Sequence, residues 1–119
     1  MKRLFIETPH FTSSVHGRLT EEEYRGLQTF LSANPMISDV IPGTGGLRKM
    51  RYTNRAKGSG KRGGLRIIYL DVPEVCWTLL LDIYGKETQD NLSESEKKIL
   101  RKLAQELKEY AKSTKKPSD

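Results

Sequence analysis

Apolar residues recur along this chain in two rhythms. In LRKMRY, residues 47–52, they alternate with period two. Leu47, Lys49 and Arg51 therefore share one face of a strand, and Arg48, Met50 and Tyr52 the other. GLRIIYLD and VCWTLLLDIYG read as two further strands, joined through Val72-Pro73-Glu74 as a hairpin. The second of these is apolar on both faces, which suits a central strand covered on both sides. RLFIET, residues 3–8, fits a short first strand.

Helical rhythm appears twice. Tyr24, Leu27, Phe30 and Leu31 recur on one face after Thr20, which has capping-box spacing to Glu23 and a possible staple between Leu19 and Tyr24. Asn34-Pro35 ends that helix, because proline disfavours helical geometry in the residue before it. Ser93 and Glu96 open the second helix, whose apolar stripe is Ile99, Leu100, Leu103, Ala104, Leu107 and Tyr110. The order is strand, helix, three strands, helix. It predicts an α+β fold: a small antiparallel sheet of about four strands packed with helices. Residues 1–112 are expected to form a single domain, and residues 113–119 a polar, frayed C-terminal tail.

Composition changes the picture in one respect. The 119 residues are 35% hydrophobic and 30% charged, as in a soluble globular domain, and the net charge is +6. Arg48, Lys49, Arg51, Arg55, Lys57, Lys61, Arg62 and Arg66 are 8 basic residues between Val40 and Leu70, a span with no Asp or Glu. Of 21 basic residues that leaves 13, against all 15 acidic ones, so the excess charge sits in one quarter of the chain. Such a field favours a polyanion, most simply nucleic acid. No stretch approaches the ~20 apolar residues of a membrane helix, and the N-terminal segment has no signal-length apolar run. The expectation is a cytoplasmic protein without a membrane partner.

Several chemistries find no support. Cys76 is the single cysteine, set in an apolar segment and expected to be a small buried hydrophobe. His10 and His16 are the only histidines, with no cysteine pair or carboxylate cluster to complete a metal site. GSGKR fails the phosphate-loop pattern, which needs GxxxxGK[ST]. No cofactor is expected. A basic surface laid on strands remains. Lys49 and Arg51 project from one face, and Arg66 stands on the neighbouring strand. Arginine can grip a phosphate bidentately, and a lysine of lowered pKa can move a proton. RNA supplies its own nucleophile, the 2′-hydroxyl. Charge alone reaches nucleic-acid binding and goes no further.

DVIPGTGGLRKMR, GKRGGLRIIY, the apolar strand ending IYGK and the closing amphipathic helix together resemble the RelE superfamily of bacterial toxins, HigB type, from toxin–antitoxin modules. The resemblance spans roughly residues 3–110. It implies a RelE-like domain and a ribosome-dependent endoribonuclease, an mRNA interferase, that cleaves messenger RNA in the ribosomal A site and blocks translation without a metal. It implies mRNA on the ribosome, ribosomal RNA and a cognate antitoxin as partners. The family's basic pair maps to Lys49 and Arg51, with Arg48 as the register alternative; its strand arginine maps to Arg66, and its Gly-Lys to Gly85-Lys86. Several members of that family place a catalytic tyrosine or histidine shortly after the central strand. KETQDNLSES has neither, and Tyr84 is the candidate substitute, with core packing as its other role. Arg48, Arg55, Lys57, Lys61 and Arg62 are the expected RNA and ribosome contacts. Two other readings stay open: a ParE-like toxin acting on DNA gyrase, and a non-catalytic RNA- or ribosome-binding module.

Overall fold

The computed structural model describes residues 3–52, 64–85 and 91–114. The fold is α+β, with strands β1 (Leu4–Glu7), β2 (Arg48–Tyr52), β3 (Leu65–Val72) and β4 (Trp77–Gly85) in one sheet of order β1-β4-β3-β2. Helices α1 (Pro9–Val15) and α2 (Glu21–Ala33) pack on one face and α3 (Glu94–Thr114) on the other. The long apolar strands β3 and β4 are central, as strands covered on both faces must be.

The sheet is mixed, which corrects the antiparallel expectation. β2–β3 and β3–β4 are antiparallel, but β1 runs parallel to β4, from Leu4 opposite Trp77 to Glu7 opposite Leu80. A single strand's apolar pattern carries no direction, so RLFIET could not reveal this. Arg3 fastens the start of β1. Its guanidinium pairs with Asp71 and donates to the Trp77 carbonyl at 3.1 Å and to Thr78 Oγ1 at 3.2 Å.

Both capping boxes form. Thr20 and Glu23 exchange side-chain and backbone bonds at the start of α2, and Ser93 and Glu96 do the same before α3. Leu27 and Leu31 of α2 are fully buried with Phe11, Met50, Ile67, Tyr69, Leu80 and Ile83. Each such side chain contributes about 1.5–3 kcal/mol relative to exposure. Phe30, expected in that stripe, is exposed, and so are Ile99 and Tyr110 of α3. The helix faces toward the sheet are narrower than the apolar pattern. α3 continues through Thr114, past the expected start of the tail. Cys76 is not a buried hydrophobe: half-buried, with φ 56°, it turns the corner after a short 3-10 turn at Pro73–Val75.

Two irregularities position the site. β4 carries a bulge. Ile68 pairs with Asp82 while Tyr69 pairs with Leu80, leaving Leu81 as the extra residue. Leu81 packs in the α3-side core, and Asp82, opposite Ile68, faces the same side. The GTGG turn is the second. Gly43, Gly45 and Gly46 all have positive φ, and α3 lies close against them. Arg101 and Ala104 approach Gly45, and Lys108 donates to the Gly45 carbonyl. This glycine turn is the seat of a helix.

Candidate functional site

The ladder assembles the basic residues into a row. Arg51 stands opposite Arg66, and Arg66 stands opposite Tyr84 on the far side of β3. Paired residues share a face, so all three belong to the α3 side of the sheet. One step along, Lys49, Ile68 and Asp82 form a second row on that face. The expected residues Lys49, Arg51, Arg66 and Tyr84 are thus brought together from three strands.

Their environments differ. Arg51 is exposed and Lys49 half-buried, whereas Arg66 is only 8% exposed. Its neighbours on that face of β3, Ile68 and Leu70, are in the core, and the arginine is buried beside them. Tyr84 packs partly against the α3-side core and also borders the cleft.

Arg48 does not join the row. It faces the other side, opposite Tyr69, and its guanidinium donates to the Ser38 carbonyl. That bond ties β2 to the segment after α2, where Tyr69 Oη also donates to the Pro35 carbonyl at 2.9 Å. Arg55, Lys57, Lys61, Arg62 and Lys86 lie outside the described residues.

A cleft of about 940 Å³ opens between the sheet and α3, along Lys97 to Leu107. Its floor is apolar, formed by Ile68 and Leu81 below and by Leu100, Leu103 and Leu107 of α3 above. Lys49, Asp82, Tyr84, His10 and Lys97 supply polar groups around it. This is the usual build of a ligand site, apolar walls with a few convergent polar groups.

His10 and Asp82 are the pair that sequence reasoning missed. His10 Nε2 lies 3.0 Å from Asp82 Oδ1, across 72 positions of chain. Parallel pairing produces the contact. It brings the C-terminal end of β1 beside the middle of β4, with Glu7 opposite Leu80, and α1 begins there. Thr8 locks the corner: its amide donates to the Leu80 carbonyl at 3.0 Å and its hydroxyl to the Leu81 carbonyl at 3.1 Å. The same hydroxyl accepts from the Phe11 amide and caps α1. The available sequence signal was Thr8-Pro9, a helix-start pair.

Among the described residues, no three His, Cys, Asp or Glu side chains gather as a metal site, and no helix is long and apolar enough to cross a membrane. Compared with models of known protein families, the chain matches none.

Proposed function

We propose that this chain is a toxin of the RelE superfamily, HigB type: a cytoplasmic, ribosome-dependent endoribonuclease that cuts messenger RNA in the A site and is neutralised by an antitoxin. The observation that carries the reading is the row Arg51–Arg66–Tyr84 with Lys49 beside it on one sheet face, Tyr84 and Lys49 also lining the cleft. Three cationic residues from adjacent strands suit a phosphodiester. Exposed Arg51 and half-buried Lys49 bind and orient the backbone. Buried Arg66 is a preorganised donor for charge that develops on the phosphoryl oxygens. The attacking group is the RNA's own 2′-hydroxyl, so the reaction requires no metal-bound water. Lys61 and Arg62, from the basic loop, contact ribosomal RNA.

The test is to induce the protein, arrest translation and map the ends of cellular messages. Cuts within translated codons, with a 2′,3′-cyclic or 3′-phosphate on one fragment and a 5′-hydroxyl on the other, are the expected result. Growth arrest with intact messages and inhibited gyrase would replace this reading with the ParE-like one. Normal growth with abundant soluble protein would leave a plain binding module.

A further inference from the structure

We propose that His10 is a catalytic base of this site and that Asp82 is its positioning residue, an assignment that rests on the endoribonuclease reading above. Both line the same cleft as Lys49 and Tyr84. The imidazole is held through Nε2, 3.0 Å from Asp82 Oδ1, which leaves Nδ1 to meet a substrate. Its side chain is 69% exposed and that of Asp82 34%, so the pair is reachable from solvent yet fixed at its base. The hold is firm because Thr8 ties the α1 corner to the β4 bulge by two hydrogen bonds. The bulge has a purpose here. It places Asp82 on the cleft side in the row of Lys49 and Ile68, directly after Leu81, which faces the same side. A neutral imidazole oriented by a carboxylate is a proton acceptor whose imidazolium that carboxylate then stabilises. KETQDNLSES supplies no histidine or tyrosine for this task, and the β1–α1 corner supplies one from the other end of the chain.

The step balances as a transesterification. Nδ1 of His10 takes the proton of the 2′-hydroxyl, the 2′-oxygen forms its bond to phosphorus, and the bond from phosphorus to the 5′-oxygen breaks. The leaving 5′-oxygen takes a proton from water, and the hydroxide so formed recovers the proton from His10. The products are a 2′,3′-cyclic phosphate and a 5′-hydroxyl, and no water is consumed.

The titratable groups around the cleft are Asp82 and Tyr84 from β4, Lys49 from β2 and Lys97 from α3. The experiment is single-turnover cleavage of a message on purified ribosomes, with wild type, His10→Gln, His10→Ala, Asp82→Asn and Asp82→Glu. Ribosome affinity and thermal unfolding are measured alongside. His10→Gln should lose roughly 10²–10⁴ in rate, with affinity and stability little changed. Added imidazole should restore part of the rate of His10→Ala. Asp82→Asn should lower the rate and leave affinity and stability in place, because an amide holds the imidazole less well and does not stabilise the imidazolium. Asp82→Glu should recover part of that loss. Wild-type cleavage with an unimpaired His10→Gln would overturn this inference alone. No cleavage by wild type would overturn the endoribonuclease reading and this inference with it.

Discussion

Arg51 stands directly opposite Arg66 in the β2–β3 ladder. Two cationic residues facing each other across strands are destabilising, by up to about 1 kcal/mol against a neutral pair. A bound phosphate between or beside them turns that repulsion into affinity. Arg51→Gln should therefore leave the isolated protein as stable as wild type or slightly more so, while cleavage falls and salt dependence weakens. Denaturant unfolding without nucleic acid, paired with single-turnover cleavage, checks both halves. A variant that lost stability and kept its rate would show that Arg51 serves the fold.

A buried ion pair, by contrast, serves the fold. Arg3 and Asp71 are nearly buried, at 12% and 4% side-chain exposure. Burial pushes the Asp71 carboxyl above its ordinary value, and Arg3 and Arg48 pull it back only in part. For a carboxyl raised in the folded state, the native form holds more protons than the unfolded one. Stability therefore falls as pH rises from the ordinary carboxylate range through the raised value. Arg3→Ala removes the strongest pull and widens that window upward. It should cost toward the lower end of about 3–5 kcal/mol at neutral pH, because Arg48 still offsets part of the charge. The loss should shrink on mild acidification, as Asp71 takes a proton. Unfolding curves at neutral and mildly acidic pH decide it; an equal loss at both would remove Asp71 as the cause.

Features set by local chemistry were legible in the sequence. Thr20/Glu23 and Ser93/Glu96 announce their helices because a capping box needs only four residues. The two-sided apolarity of VCWTLLLDIYG marks β4 as central. Alternation in LRKMRY placed Lys49 and Arg51 on one face, and the ladder adds Arg66 and Tyr84. What escaped was set at long range. The direction of β1 is written nowhere in RLFIET, and it decides which end of the sheet α1 and His10 reach. α1, with 7 residues and one buried side chain, Phe11, is too short for a helical period to show. The bulge at Leu81 breaks the alternation in LLLD that would otherwise direct Asp82 away from the cleft. The GTGG stretch reads as a turn from its composition, but its packing against α3 depends on residues some sixty positions later, such as Lys108.

That packing gives a prediction of opposite signs at two glycines. Gly46 has φ +113°, and a Cβ there would meet Lys108 Nζ at 3.2 Å. Gly26 lies inside α2, where a Cβ would meet only Tyr52 Oη, at an ordinary 3.7 Å. Gly46→Ala should destabilise by roughly 1–3 kcal/mol through backbone strain. Gly26→Ala should stabilise by about 0.5–1 kcal/mol through helix propensity. Thermal unfolding of the two variants suffices. A neutral Gly46→Ala would mean that the turn relaxes and α3 is not seated on it.

The last prediction separates chemistry from binding at Arg66. This arginine is buried in the row between Arg51 and Tyr84, so its head is held in place before any RNA arrives. A donor held that way acts most on charge that exists only in the transition state. Arg66→Ala should then lower the single-turnover rate by roughly 10²–10³, the scale of losing one preorganised donor. Ribosome affinity should change little, and its salt slope should stay. Arg66→Lys keeps the charge but loses the planar fork, so it should recover only part of the rate. Burial makes a folding defect the competing explanation, and Arg66→Lys addresses it: a well-folded lysine variant with a large rate loss assigns the effect to guanidinium geometry. Lys61→Ala with Arg62→Ala provides the contrast. That double variant should weaken ribosome binding and flatten its salt dependence, since fewer counterions are released, and saturating protein should restore most of the rate. If Arg66→Ala lost affinity alone while the double variant lost rate alone, the two roles would have to be exchanged.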